Sequence, residues 1–247
     1  MKRFLASCSL LMLFVCAVVA QDGVKSTVSS APTANRYEAE RKLANLAIEA
    51  HGGDKLRAMK TLSLIGSVDV TASTFPQPIP ATFVMIFAGD RYRVEIKNPL
   101  QPFKQTFDGT RTISSVENGF TLPPFNRLGF PILNRINEPG FAVTPVGEGK
   151  SKKRGFRVTS PEGFYTDFYL DEKTNQIKGY DSSYQINGRD VKTAVEIDKR
   201  RLVDGVLVPE KYVQRFDLGG LTIYGTFNAK QIQVNTPVAD DVFSIDN

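Results

Sequence analysis

Side chains able to do chemistry are scarce in this chain. Its 247 residues include one histidine, two cysteines and no tryptophan. Zinc sites are built from clusters of Cys and His, and no such cluster can be assembled here. The single imidazole, His51, has no thiol or second histidine with which to form a nucleophile pair. Its place in the last turn of a helix suits a cation facing the negative end of the dipole, so it is expected to cap that helix. Acid pairs are the remaining catalytic option: Asp167, Asp171 and Glu172 fall on one hairpin, and Asp240 and Asp241 lie near the end. Turn and tail carboxylates of this kind are ordinarily solvated surface. A hydrolase using Asp167 is therefore the weakest reading. Gly147-Glu148-Gly149 falls in a hairpin turn, not between a strand and a helix where glycines cradle phosphate. No catalytic residue, metal ligand or cofactor is assigned.

The elements that would position any site begin after an unusual N-terminus. Lys2 and Arg3 precede a largely apolar run from Phe4 to Ala20, which ends Val18-Val19-Ala20. A charged start, an apolar middle and small residues before a break are the marks of an export signal, here cleaved near Ala20. The expected location is the periplasm or the exterior. Leu5-Ala6-Ser7-Cys8 and Leu13-Phe14-Val15-Cys16 are poor lipidation boxes, the first too early and the second too bulky. Cleavage would remove both cysteines and leave 29 basic against 26 acidic residues. So small a surplus gives no footing for nucleic acid. Two basic runs, Lys150 to Arg154 and Lys199 to Arg201, are read as charged strand ends, with anionic head groups as the alternative.

Residues 21–35 are rich in Ser, Thr, Ala and Pro and read as a flexible leader before one domain, 36–247. From Tyr37 to Ala50, Ala39, Leu43, Leu46, Ala47 and Ala50 recur at helical spacing, and Gly52-Gly53 supplies the stop. After a short turn at Asp54 to Met59 the period becomes two. Leu62, Leu64, Val68 and Val70 alternate with polar residues across Thr61 to Thr71. Further strands are expected at Ala81–Phe87, Arg91–Lys97, Phe103–Phe107, Thr110–Val116, Phe141–Gly147, Arg154–Ser160, Phe164–Leu170 and Gln176–Gln185. Three long ones follow, Asp190–Val203, Val206–Asp217 and Leu221–Asn235. Short connections between successive strands force antiparallel pairing. The predicted architecture is α+β: a curled antiparallel sheet of about eleven strands, an incomplete β-barrel wrapped around the N-terminal helix.

Between Gly119 and Ile136 the alternation stops, and large apolar residues sit on a proline-broken connection with one or two short helices. Phe120, Leu122, Phe125, Leu128, Phe130 and Ile132 are therefore the candidate lid or cavity residues. They either complete the core or cover a lipid-sized space.

Particular phrases also carry a resemblance. Glu49-Ala50-His51-Gly52-Gly53-Asp54-Lys55-Leu56-Arg57-Ala58-Met59-Lys60-Thr61-Leu62 opens the fold, Phe107-Asp108-Gly109-Thr110 forms a turn, and Val203 to Pro209 and Val238 to Phe243 close it. Together they resemble the LolA/LppX-type lipoprotein carriers of the bacterial envelope. That resemblance implies a half-barrel enclosing a hydrophobic cavity, a lipid or lipoprotein acyl chain as ligand, and a soluble monomer without catalytic machinery. The alternative is a filled half-barrel whose exposed strand edges recruit an envelope protein.

Overall fold

A computed structural model describes residues 37–99, 102–115, 122, 124–147, 153–186, 189–217 and 220–244. The export signal, the leader and Phe120 lie outside the described residues. Twelve strands form a single sheet, against about eleven expected. They are β1 (Thr61–Ala72), β2 (Phe75–Ala88), β3 (Arg91–Lys97), β4 (Phe103–Phe107), β5 (Thr112–Ser114) and β6 (Ala142–Thr144), followed by β7 (Gly155–Thr159), β8 (Tyr165–Leu170), β9 (Ile177–Ile186), β10 (Arg189–Val203), β11 (Val206–Asp217) and β12 (Thr222–Val234). Their order is 5-4-3-2-1-12-11-10-9-8-7-6. Each strand pairs antiparallel with its sequence neighbour, except that β1 pairs with β12 and β5 and β6 are the two free edges. The sheet is thus two meanders joined by its first and last strands, and it does not close into a barrel.

One strand is longer than its sequence suggests. Pro76, Pro78 and Pro80 argue against a strand before Ala81, yet β2 begins at Phe75. The register with β1 shifts between Val70 and Ala72, opposite this stretch, so Pro76 and Pro78 fall where the ladder is irregular. On the β1 side, Asp69 pairs with Pro80 and Ala72 with Phe75, whereas β3 pairs with β2 only from Thr82 onward. The strand tolerates them because a proline costs a ladder bond only where a regular partner would accept it.

Helix α1 (Glu38–Ala50) buries Ala44, Ala47 and Ile48. Its main neighbours in the sheet are β7 and β6, and the small alanines permit the close approach. The helix ends where Gly52 takes φ +121° and lies against the β10–β11 turn; a Cβ there would stand 2.3 Å from the Gly205 carbonyl oxygen. A second short helix, α2 (Asp54–Arg57), follows and packs on the connection between β5 and β6. No helix among the described residues is long and apolar enough to cross a membrane.

Because β5 and β6 are opposite edges of the sheet, the chain between them must travel from one edge to the other. It contains two 3-10 helices, Phe125–Arg127 and Phe130–Arg135. This strap shares the cover of the concave face with α1. Beneath both, the core holds aromatic contacts such as Phe83–Phe227 at 5.1 Å and Tyr212 stacked on Phe227 at 4.8 Å.

Candidate functional site

A cavity of about 90 Å³ lies between the strap and the concave face of the sheet. Its walls differ in chemistry. Strands β1 and β2 contribute Leu62, Leu64, Met85 and Phe87, and the strap contributes Phe125, Leu128, Phe130 and Pro131. Strands β9 to β11 contribute Tyr180, Ser182, Tyr184, Thr193, Tyr212 and Gln214. No charged side chain lines it among the described residues. The period-two rule explains the second wall: Tyr180, Ser182 and Tyr184 occupy alternate positions of β9 and point the same way.

The candidate lid residues fall in three positions. Phe125 and Leu128 are half-buried and line the cavity. Phe130 lines it too, but is only 3% exposed and packs edge-on against the His51 ring at 5.5 Å. Ile132 is fully buried in the main core, away from the cavity wall. Leu122 packs with Leu128 against a small cluster of Tyr184 and Val191. Burial of Phe130 and Ile132 means that part of the strap fills the interior while another part borders open space.

Among the described residues, polar bonds hold the strap down from Leu122 to Arg135. The Gln105 side chain acts like a strand neighbour for Leu122: its Oε1 accepts from the Leu122 N–H at 2.7 Å and its Nε2 donates to the Leu122 carbonyl at 3.0 Å. Asp90, in the β2–β3 turn, accepts on Oδ1 from both Arg127 and Arg135, each at 2.7 Å. The Asn126 amide also donates to the Asp90 carbonyl. The two guanidiniums, Arg127 foremost, hold the Asp90 carboxyl below its ordinary value. Further along, Arg127 donates to Glu162 at 3.0 Å and the Gly129 N–H to Thr166 Oγ1 at 3.0 Å. Gly129 has φ +67°, and a Cβ there would come within 2.9 Å of the Tyr180 ring, so this position requires glycine. Beside the cavity a more polar cleft of about 560 Å³ shares Leu62, Phe87 and Pro131 with it.

His51 is not the charged helix cap expected from its position. It is fully buried, and its ring bridges two strands. Nδ1 donates to the Leu207 carbonyl at 2.6 Å, and Nε2 accepts from the Ile177 N–H at 3.0 Å. That pair of bonds requires the neutral tautomer with its proton on Nδ1. Burial lowers its pKa to about 4 against the opposing effect of the Leu207 bond, with nearby Arg200 adding to the depression.

Asp167, the best acid of the hydrolase reading, lies on β8. The residue is fully buried, and Arg157 engages both carboxylate oxygens, at 2.7 and 2.9 Å. Opposite it in register stands Asp181, which accepts from the Tyr169 hydroxyl at 2.8 Å. Asp171 binds three donors of its own turn, including Thr174 Oγ1 at 2.9 Å. Among the described residues no group of three His, Cys, Asp or Glu gathers in a way that would hold a metal.

Sequence reasoning located the strap but missed the walls opposite it. The available signal was the run Tyr180, Ser182, Tyr184 and Thr193, hydrogen-bonding groups at inward positions of strands otherwise facing a core.

No family model matches the chain, and no curated protein matches it in sequence. Solved structures do match in shape. A LolA superfamily protein from Nitrosomonas europaea aligns over 84% of this chain and 98% of its own, at 10% identity and a TM-score of 0.50. A DUF1329 family protein from Desulfovibrio piger aligns over 83% of this chain and 97% of its own, at 10% identity and a TM-score of 0.46. An outer membrane lipoprotein-sorting protein domain from Vibrio parahaemolyticus covers the same shares at 8% identity, also with a TM-score of 0.46. With twelve antiparallel strands in an open sheet and an N-terminal helix, the chain is LolA-like in fold, on its likeness to the first of these.

Proposed function

We propose that the protein is an exported carrier that takes the acyl chain of a lipid or lipoprotein into the space between the strap and the sheet. The observation that carries this reading is the uncharged cavity bordered by Phe125, Leu128 and Phe130 on one side and by Leu62, Leu64 and Met85 on the other. As it stands the cavity holds roughly half a dozen water-sized spheres. It is smaller than ordinary ligand pockets, which run to about 300 Å³ or more, so a whole chain enters only when the strap lifts. Lifting its outer part, around Phe125 and Leu128, exchanges mainly polar bonds for water contacts and leaves the strands and the buried Phe130 and Ile132 in place. Each buried methylene contributes about 0.8 kcal/mol, and about a dozen give roughly 10 kcal/mol before the cost of association, about 4 to 15 kcal/mol. Loose binding of this kind suits a carrier and requires no catalytic group. The N-terminal run ending at Ala20 supports delivery of the chain across a membrane.

Native mass spectrometry and lipid extraction of protein purified from the periplasm test the reading, together with uptake of a fluorescent fatty acid. Co-purifying lipid, or saturable uptake, is expected. A protein free of lipid that takes up no fatty acid ends the carrier reading. The scaffold reading draws little from the sheet edges, since β5 and β6 have three residues each and offer short templates for an added strand.

A further inference from the structure

The carrier reading leaves one wall of the cavity unexplained, because an acyl chain makes no use of hydrogen-bonding groups. Ser182 and Thr193 are register partners on β9 and β10, and Tyr184 lies one inward position beyond Ser182. Gln214, on β11, donates from Nε2 to Thr193 Oγ1 at 3.1 Å. That bond leaves the Thr193 hydroxyl proton, the Gln214 Oε1 and its second N–H without a further partner among the described residues. Ser182 shares a hydrogen bond of 3.1 Å with Thr166, which already accepts from the Gly129 N–H. The Tyr184 hydroxyl has no partner among the described residues, and burial raises its pKa, so it stays protonated and able to donate. Donors and acceptors thus form a short stripe down one side of an otherwise apolar space. Such groups facing the cavity are otherwise met by water, and a ligand that displaces that water keeps the bonds only if it brings a polar group of its own. An ionised group does not fit, because no cation lines the cavity and desolvating an unpaired carboxylate is prohibitive.

We propose that the bound lipid carries an uncharged polar group, an ester carbonyl or an alcohol, seated against Ser182, Tyr184, Thr193 and Gln214. This rests on the carrier reading and narrows its ligand to neutral, ester- or hydroxyl-bearing lipids over ionised fatty acids.

The test is displacement of the uncharged dye N-phenyl-1-naphthylamine from the full exported chain at pH 8, with competitors kept below their micelle concentrations. 1-Monopalmitoylglycerol is expected to displace the dye at a concentration at least ten-fold lower than palmitate. In Thr193→Val/Gln214→Leu the advantage is expected to fall below about three-fold while dye binding persists. Tyr184→Phe, which removes one oxygen and little else, is expected to reduce the advantage by a smaller factor and covers the case in which the double variant does not fold. Equal or better displacement by palmitate overturns the inference, as does a ten-fold advantage that survives both variants. Dye bound but displaced by neither lipid overturns it too and leaves the cavity intact. A protein that binds no dye and neither lipid overturns the carrier reading along with it.

Discussion

His51 and Leu207, far apart in sequence, hold each other by both backbone and side chain. The Leu207 N–H donates to the His51 carbonyl at 3.0 Å, and the His51 Nδ1 donates to the Leu207 carbonyl at 2.6 Å. The end of α1 is thereby fixed to the start of β11, and the same ring reaches β9 through Ile177 and the strap through Phe130. Four elements meet on one imidazole.

That imidazole gives the first prediction. A histidine whose folded pKa, about 4, lies below the ordinary value of 6.5 favours the folded state above pH 6.5. Its contribution is lost as the pH falls from 6.5 to 4, because the unfolded chain takes up the proton first. The shift corresponds to about 3 kcal/mol at most. Since the chain has one histidine, its proton NMR titration is a single curve. We expect no midpoint above pH 5. A midpoint near 6.5 would mean that the ring is solvated and the bridge absent.

Asp90 is the second. Replacing it with alanine leaves Arg127 and Arg135 without their shared acceptor, although Glu162 and Glu138 still engage them. Asp90 is half-exposed, so each pair is worth at most about 1 kcal/mol. We expect faster amide hydrogen exchange in residues 125–135 by roughly five- to ten-fold, with the melting temperature nearly unchanged. At neutral pH the wild-type latch is complete, and it weakens only as the pH falls through Asp90's lowered pKa, below 3.8. Unaltered exchange in Asp90→Ala would show that the apolar contacts alone hold the strap.

Gly129→Ala should act at the same place by sterics. A left-handed conformation costs a non-glycine residue about 1–2 kcal/mol, and the new methyl would meet the Tyr180 ring at 2.9 Å. A loss of stability of about 2 kcal/mol is expected from urea unfolding. A neutral effect would mean that the strap stands farther from β9 than contact with the Tyr180 ring requires.

Asp167→Ala should destabilise the chain without touching the cavity. It strands the Arg157 guanidinium, whose side chain is 24% exposed against 0% for the carboxylate. Breaking a buried pair costs about 3–5 kcal/mol, and the partial exposure of Arg157 puts the expected loss toward the lower end. Urea unfolding measures it, and lipid uptake by the folded variant should be unchanged. A loss of uptake with full stability would move Asp167 into the functional site.

The strands were legible in the sequence because their chemistry alternates: β3, β4 and β11 begin and end where the period-two pattern does. Helix α1 was legible from its alanines and its glycine stop. What escaped detection was non-local. The start of β2 before Ala81 was missed, because no local pattern says that β3 stops opposite Thr82 and leaves that edge open. His51 looked like a cap because Leu207 and Ile177, which claim its nitrogens, are more than a hundred residues away. The pairing of Asp167 was hidden because its partner Arg157 sits on a neighbouring strand, invisible to spacing arguments. The strap was visible as an apolar segment out of place, while the wall facing it, from Tyr180 to Gln214, carried no signal until three strands were aligned.

The seam between β1 and β12 sets the order in which the molecule can be made. Synthesis delivers β1 first and its mate only after β2 to β11, so the middle of the sheet stays unzipped until β12 has been made. Pairings this distant in sequence are slow to nucleate, since a long loop must close before any contact rewards it. A newly made chain is thus kept open, threadable and exposed to aggregation for the length of its translation. Knitting of the central strands waits for the C-terminal residues wherever they are released.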